Sequence, residues 1–379
     1  MGMAEASATF RVVISGYYGF NNSGDEAVLR SILLALEEQS KAAGITIIPV
    51  VLSGNPEWTT RMYKVEAVSR MHPASLWRAI SSSHALISGG GSLLQDATGL
   101  KSVPYYTGII KLAQWLGKPT FIYAQGIGPV NRKSLFPLIV SAMKKSSYIS
   151  VRDEQSAQFL KAIGVKHPEI HIVPDPVMGM PLPAHNEALL HETSLSRIGI
   201  SVRFWNKDRS DLNRIGEALI ALTEKRDVQL TFLPFHTPED IEASEYIVSN
   251  IASRIGKGSA VEIADLPDDP QVMLQAVSSC TALFGMRLHA LIYAANQRVP
   301  MLGLSYDPKI DQFLKRIDSE PIGTTEQLDP DKFASEMAYI VNNREQWLEQ
   351  HNRQIETLIQ QSQKPAQQIS QTLRQNISR

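Results

Sequence analysis

Phe284-Gly285-Met286-Arg287-Leu288-His289-Ala290-Leu291-Ile292-Tyr293-Ala294-Ala295 is the stretch from which the fold is read. The run from Thr281 to Phe284 is apolar and short, as a buried strand is. A glycine follows, and then Leu288, Leu291, Ile292 and Ala295 recur at helical spacing. A strand that passes through a tight turn straight into a helix is the unit of a parallel α/β sheet. Arg287 and His289 are expected in the first helical turn, past the C-terminal end of the strand. Open α/β sheets bind ligands there. First-turn N–H groups and the positive end of the helix dipole favour an anion, and a guanidinium fork suits carboxylate or phosphate. The stretch therefore reads as an anion site with an imidazole beside it, or as a salt-bridged arginine and a space-filling histidine.

The same alternation extends in both directions. Apolar strands are expected at Arg11–Ser15, Ile45–Leu52, Ala85–Ser88, Thr120–Ala124, Tyr148–Val151 and Ile170–Val173, with helical patterns between them. Their unbroken apolar character predicts a parallel sheet covered on both faces. The pattern stops between Met178 and Ser196 and restarts at Ile198–Val202, Val228–Phe235, Val261–Ile263, the opening stretch and Val299–Leu304. Two doubly wound Rossmann-like domains facing a central cleft follow. Their bounds are 1–182 and 197–329, joined by a linker at 183–196 and followed by a helical tail at 330–379. From Gln360 onward the Gln- and Ser-rich tail is expected to be frayed or exposed.

With 379 residues, 43% hydrophobic and 20% charged, the chain has the profile of a soluble globular protein able to build two cores. A lone Cys280 cannot form an intramolecular disulfide, so it reads as a packing residue in a reducing, cytoplasmic address. The net charge of −1 argues against a nucleic-acid partner. The start of the chain has no signal-peptide pattern, and no apolar run approaches a membrane span. Peripheral contact at the inner face of the plasma membrane is left open. No metal spacing is present and no cofactor is expected. The oligomeric state is not legible.

Strand ends carry the candidate chemistry. In the first half, Gly16-Tyr17-Tyr18-Gly19-Phe20-Asn21-Asn22-Ser23-Gly24-Asp25-Glu26 opens a helix, and Ser23-x-x-Glu26 fits a capping box. Asp25 has no such task and is a candidate base for a hydroxyl. Gly89-Gly90-Gly91-Ser92, followed by Gln95-Asp96, implies close backbone approach. Gln125-Gly126 and Arg152-Asp153 end two further strands on the same edge. In the second half Arg203 and Arg287 each follow a strand. His236 precedes a helix that Thr237 and Pro238 are expected to open. Two guanidinium groups and two imidazoles on one edge suit a small dianion or trianion.

Taken together, Ser15 to Glu26, Ser88 to Asp96, Gln125-Gly126-Ile127-Gly128-Pro129, Val151-Arg152-Asp153 and Gly285-Met286-Arg287-Leu288-His289 resemble the polysaccharide pyruvyltransferase family. The likeness is greatest to the bacterial cell-wall branch that anchors surface-layer proteins. The resemblance implies a GT-B-like arrangement and phosphoenolpyruvate as donor. The implied acceptor is an N-acetylmannosamine residue in a secondary cell-wall polymer precursor carried on a polyprenyl lipid, and the product is a 4,6-linked pyruvate ketal. It puts Arg203, Arg287, Leu288 and His289 at the donor; the residues themselves suggest His236 as a turn residue or a further donor contact, and His289 as acid or phosphate contact. Asp25 or Asp96 would be the base. Gly16, Tyr18, Asn21, Asn22, Gly90, Gly91, Gln95, Gln125 and Arg152 would line the acceptor. The rivals are a nucleotide-sugar glycosyltransferase of the same fold and a non-catalytic polysaccharide-binding protein.

Overall fold

The computed structural model describes residues 8–20, 22–97, 99–184 and 190–375. The chain divides into two compact units, Met1–Met180 with Leu358–Arg379, and Pro181–Thr357. Unit 1 runs β1 (Ala8–Tyr18), α1 (Ser23–Ala42), β2 (Ile45–Ser53), α2 (Pro56–Tyr63), β3 (Glu66–Ser69), α3 (Pro73–Ser81), β4 (Ala85–Gly89), α4 (Ser102–Trp115), β5 (Thr120–Gln125), α5 (Phe136–Met143), β6 (Tyr148–Val151), α6 (Glu154–Ala162) and β7 (His171–Ile172). Unit 2 runs β8 (Ser196–Ser201), α7 (Ser210–Lys225), β9 (Val228–Phe232), α8 (Glu239–Ile251), β10 (Ala260–Ile263), α9 (Pro270–Ser278), β11 (Ala282–Gly285), α10 (Leu288–Asn296), β12 (Met301–Ser305), α11 (Pro308–Arg316), β13 (Gly323–Thr324) and α12 (Pro330–Asn342). Helix α13 (Arg344–Gln375) begins in unit 2 and ends in unit 1.

Both sheets are parallel. Unit 1 has the order β3-β2-β1-β4-β5-β6-β7 and unit 2 the order β10-β9-β8-β11-β12-β13. The doubly wound reading holds for each. Val12, Val13 and Ile14 of β1 and Leu283 and Phe284 of β11 are wholly buried, as central strands covered on both faces must be. In both units the order reverses beside the first strand, between β1 and β4 and between β8 and β11. Those are the switch points at which helices leave on opposite faces and a crevice opens at the strand ends.

Several sequence expectations need correction. Strand β1 runs on to Tyr18 through an irregularity between Ser15 and Tyr18, instead of ending at Ser15. Gly16 permits this: a Cβ there would lie 2.2 Å from the Tyr18 ring. Helix α1 is capped by Asn22, whose side chain accepts from Gly24 and Asp25 N–H, and not by Ser23. The tail is not frayed from Gln360. Helix α13 continues to Gln375 with Ala366, Ile369 and Leu373 buried, three positions three and four residues apart on one face. Small and branched apolar residues at that spacing suffice to seat a helix whose other faces are Gln and Ser. Helix α12 instead belongs to unit 2, where Phe333 packs edge-on against Phe284 of β11 with centroids 4.9 Å apart.

Cys280 is buried, and desolvation pushes its thiol up to about 12, which suits the packing role. Among the described residues no helix is long and apolar enough to cross a membrane, and no group of His, Cys, Asp and Glu is placed to hold a metal ion.

Candidate active site

In unit 1 the ends of β1, β4, β5 and β6 gather one set of side chains. Asp25, in the first turn of α1, places its carboxylate against the backbone of Gly91: a Cβ on Gly91 would sit 2.6 Å from Asp25 Oδ1. Gly91 is left-handed at φ +67, and Gly90 precedes it at φ +59 under Val28. The glycines are thus required both by backbone angle and by space. Desolvation, opposed by the nearby Arg152 charge and reinforced by Glu26 and Asp175, lifts the Asp25 carboxyl from 3.8 to about 7. Among the described residues its carboxylate accepts no hydrogen bond. It is a carboxylate near neutrality without a structural task, as a general base requires.

Arg152 follows β6. It donates to Ser92 Oγ at 2.7 Å and lies 3.6 Å from Asp175 and 3.9 Å from Asp153. Gly126 makes room for it, since a Cβ there would meet Arg152 Nε at 2.7 Å. Arg152 is therefore held within an acidic cluster, where it tempers the charge around Asp25.

Other residues of these strand ends make internal contacts. Tyr18 is buried and donates its hydroxyl to Gly89 O at 2.8 Å, so it fixes the β1 and β4 ends rather than facing a ligand. Glu26 accepts from Gly19 N–H and from the Tyr63 hydroxyl, both at 2.7 Å, and so holds the glycine loop from within instead of closing a capping box. Asn22 is committed to its helix. Asp96 accepts from Asn131 N–H, Asn131 Nδ2 and Arg132 N–H, and these bonds, led by the Asn131 N–H, lower its pKa. A carboxylate so engaged is a poor base, which leaves Asp25 as the candidate. Gln125 is buried and donates to Ser88 Oγ at 2.9 Å, while its Oε1 meets no hydrogen-bond partner among the described residues. Gly16 offers its carbonyl to Arg70, and Gln95 is half-buried beside the Leu94–Ile127 bridge. Asn21 lies outside the described residues.

Sequence reasoning missed Arg70. Its buried guanidinium donates to Gly16 O at 3.1 Å and the Tyr106 hydroxyl at 3.2 Å, among the rings of Tyr17, Phe20, Tyr105 and Tyr106. Only the clustering of aromatics at 17–20 and 105–106 hinted at it.

In unit 2, Arg203 and Arg287 flank the second switch point. Ser201 pairs with Gly285 across β8 and β11, and each arginine lies two residues beyond that pair. Arg287 is the N-cap residue of α10 and not a first-turn residue, so His289 is the second residue of the helix. The Arg287 guanidinium grips Asp240: Nε donates to Oδ2 at 3.0 Å and Nη2 to Oδ1. It is thus salt-bridged, as the plainer reading held, while among the described residues no further side-chain partner is seen for its guanidinium. Arg203 differs. It reaches Phe204 O at 3.3 Å and the Tyr306 hydroxyl at 3.4 Å, lies over Trp205 and Tyr306, and meets no carboxylate among the described residues. Ser201 Oγ is buried at the same switch point with no hydrogen-bond partner among the described residues, a donor that the sequence did not flag.

His236 is half-exposed, with Nε2 3.6 Å from Glu239 and its N–H donated to Asp240 at 2.9 Å. Helix α8 starts at Glu239 with Pro238 as its cap residue, one position later than expected. Leu288 and His289 are half-buried at the head of α10.

Two parallel-sheet Rossmann-like units, each with polar side chains at its switch point, define a protein of the GT-B class. Solved structures agree on the fold. Similar ones include the UDP-GlcNAc 2-epimerase of Methanocaldococcus jannaschii, at 12% identity and TM-score 0.64, covering 96% of this chain and 99% of that one. A glycosyltransferase from Rickettsia africae matches at 9% identity and TM-score 0.62, over 98% and 99% of the two chains. The UDP-GlcNAc 2-epimerase of Neisseria meningitidis bound to UDP-GlcNAc matches at 11% identity and TM-score 0.60, over 94% and 97%. No curated protein matches. The family model described as polysaccharide pyruvyl transferase matches residues 22–308, and the chain belongs to that family. It is accordingly a transferase enzyme that places pyruvyl groups on polysaccharide.

Proposed function

We propose that the donor is phosphoenolpyruvate, held at the β8–β11 switch point of unit 2, and that the acceptor is an N-acetylmannosamine residue of a polyprenyl-linked cell-wall polymer precursor. The observation that carries the donor reading is the pair Arg203 and Arg287 two residues beyond the Ser201–Gly285 pair, where the Ser201 hydroxyl meets no partner among the described residues, at the head of α10. Phosphoenolpyruvate carries a carboxylate and a phosphate. Two guanidinium groups and a helix N-terminus complement that pair of anions.

Ketal formation needs a proton on the C3 methylene, which makes C2 electrophilic. One sugar hydroxyl then bonds to C2 and gives up its proton. The C2–O bond to phosphate breaks, phosphate departs with the electron pair, and the second hydroxyl closes the ring and loses its proton. His289 would supply the first proton or contact the phosphate, because imidazole titrates near neutrality. Arg203 and Arg287 would stabilise the leaving phosphate. Asp25 would accept the hydroxyl proton, with its carboxyl poised at about 7.

Incubation with phosphoenolpyruvate and a panel of amino-sugar glycolipids tests the reading. Release of phosphate together with the mass gain of one ketal on the N-acetylmannosamine lipid supports it. Phosphate release with a different sugar alone would correct the acceptor, and sugar transfer from a nucleotide donor would replace the reading.

A further inference from the structure

We propose that the α3–α4–α5 layer of unit 1 is a docking surface for an anionic lipid bilayer. The first observation is charge. Between Met71 and Val151 the chain carries eight Lys and Arg and a single carboxylate, Asp96. The whole chain has a formal charge of −1, so this segment at +7 is offset by −8 elsewhere. The neutral average conceals a strongly basic region.

The second observation is where the fold puts it. Strands β3 to β6 are joined by α3, α4 and α5, and the sheet order moves one way through β4, β5 and β6. Right-handed crossovers therefore leave those helices on one face of the sheet. Their inner residues share one core, with Leu76, Ile80, Ile110, Ala113, Ile139 and Ala142 buried together. The outer residues are cationic and aromatic. On α3, Trp77 and Arg78 are exposed; on α4, Lys111 is half-exposed and Trp115 stands out at 77% exposure. On α5, Leu138 is exposed, and Lys144 and Lys145 follow it into solvent.

Exposed indoles gain by leaving water, and exposed lysines gain beside an anion. The headgroup region of a bilayer suits both parts: tryptophan favours that interface, and anionic lipids attract the cations. Single-stranded nucleic acid also pairs cations with stacking aromatics, so an oligonucleotide is the competing occupant in the test. The surface does not depend on the donor or acceptor chosen above, because membrane binding is read without substrate.

The test uses the full chain and two kinds of vesicle, phosphatidylcholine alone and phosphatidylcholine mixed equally with phosphatidylglycerol. Co-sedimentation with the anionic vesicles only, weakening as salt rises, is expected. The triple variant Lys111→Gln, Lys144→Gln, Lys145→Gln should lower partitioning on the order of a hundredfold, about fivefold per cation. Trp77→Ser with Trp115→Ser should lower it at every salt concentration. Wild-type tryptophan emission should shift to the blue on anionic vesicles, and Trp77→Phe with Trp115→Phe should lose most of that shift. These residues are solvent-facing, so an unchanged melting temperature checks that each variant folds. Failure to bind anionic vesicles, equal binding to neutral ones, or capture of an oligonucleotide in place of vesicles overturns the proposal.

Discussion

Asp240 holds Arg287 by two hydrogen bonds while also accepting the backbone N–H of Phe235 at 3.2 Å and of His236 at 2.9 Å. One wholly buried carboxylate thereby fixes the turn after β9 and the guanidinium after β11. Asp240→Ala leaves Arg287 without its partner and two N–H groups without an acceptor. We expect a loss of about 3–5 kcal/mol of stability, measured by denaturant unfolding. Asp240→Asn keeps one acceptor oxygen and should fold better, yet its KM for phosphoenolpyruvate should rise because the fork is no longer held in plane.

Asp25 links activity and stability to pH. Burial raises its carboxyl from 3.8 to about 7, so the folded chain keeps a proton that the unfolded chain releases. That contribution to stability is complete below pH ~4 and is lost as the pH rises through ~7. Asp25→Asn should therefore match the wild type near pH 4 and exceed it by about 4 kcal/mol at pH ~8, measured by urea unfolding at each pH. Its turnover should fall about 10²–10⁴-fold if it is the base. A variant that keeps most of the rate moves the base elsewhere.

Arg152 lowers the Asp25 carboxyl. Removing its charge with Arg152→Gln should raise that pKa further. The rising limb of the rate against pH, expected near 7 in the wild type if Asp25 is the base, should move to higher pH. A limb that stays in place would separate Asp25 from the rate profile.

Gly91→Ala meets two obstacles, a left-handed backbone at φ +67 and a Cβ 2.6 Å from Asp25 Oδ1. The backbone alone costs about 1–2 kcal/mol. Turnover should fall further than stability, because the displaced group is the proposed base. Gly99→Ala, where nothing lies within 4 Å of the added carbon, should leave the rate unchanged.

The end of α13 offers a purely structural test. Ile369→Ala empties a fully buried position in unit 1 and should cost about 2–5 kcal/mol, read as a lower melting temperature.

The alternation of apolar runs and helical patterns made both sheets legible, because central strands buried on both faces leave few polar positions to confuse the period. The strand-end residues were legible for the same reason: polar groups just past an apolar run are few. What each of them does was not. Tyr18 and Asp96 read as site residues and Glu26 as part of a capping box, but they hold backbone groups contributed by Gly89, the 131–132 loop and Gly19, and such partners have no signature in one sequence. Arg287 and Asp240 are 47 positions apart, so their pairing was invisible as well. The tail misled because its Gln and Ser content hid Ala366, Ile369 and Leu373, whose small stripe is enough to seat a helix.

Among the described residues Arg203 makes long hydrogen bonds to Phe204 O and the Tyr306 hydroxyl, lies over the Trp205 and Tyr306 rings and meets no carboxylate, so its removal should largely spare folding and report on ligand. Calorimetry of phosphoenolpyruvate binding to the wild type and to Arg203→Ala, with UDP-N-acetylglucosamine as the alternative ligand, tests the donor site directly. The account predicts binding of phosphoenolpyruvate to the wild type and a roughly 10–100-fold weaker affinity in the variant, the loss of charge-assisted hydrogen bonds to an anion. Equal affinity in the two proteins, or binding of UDP-N-acetylglucosamine without phosphoenolpyruvate, would contradict it.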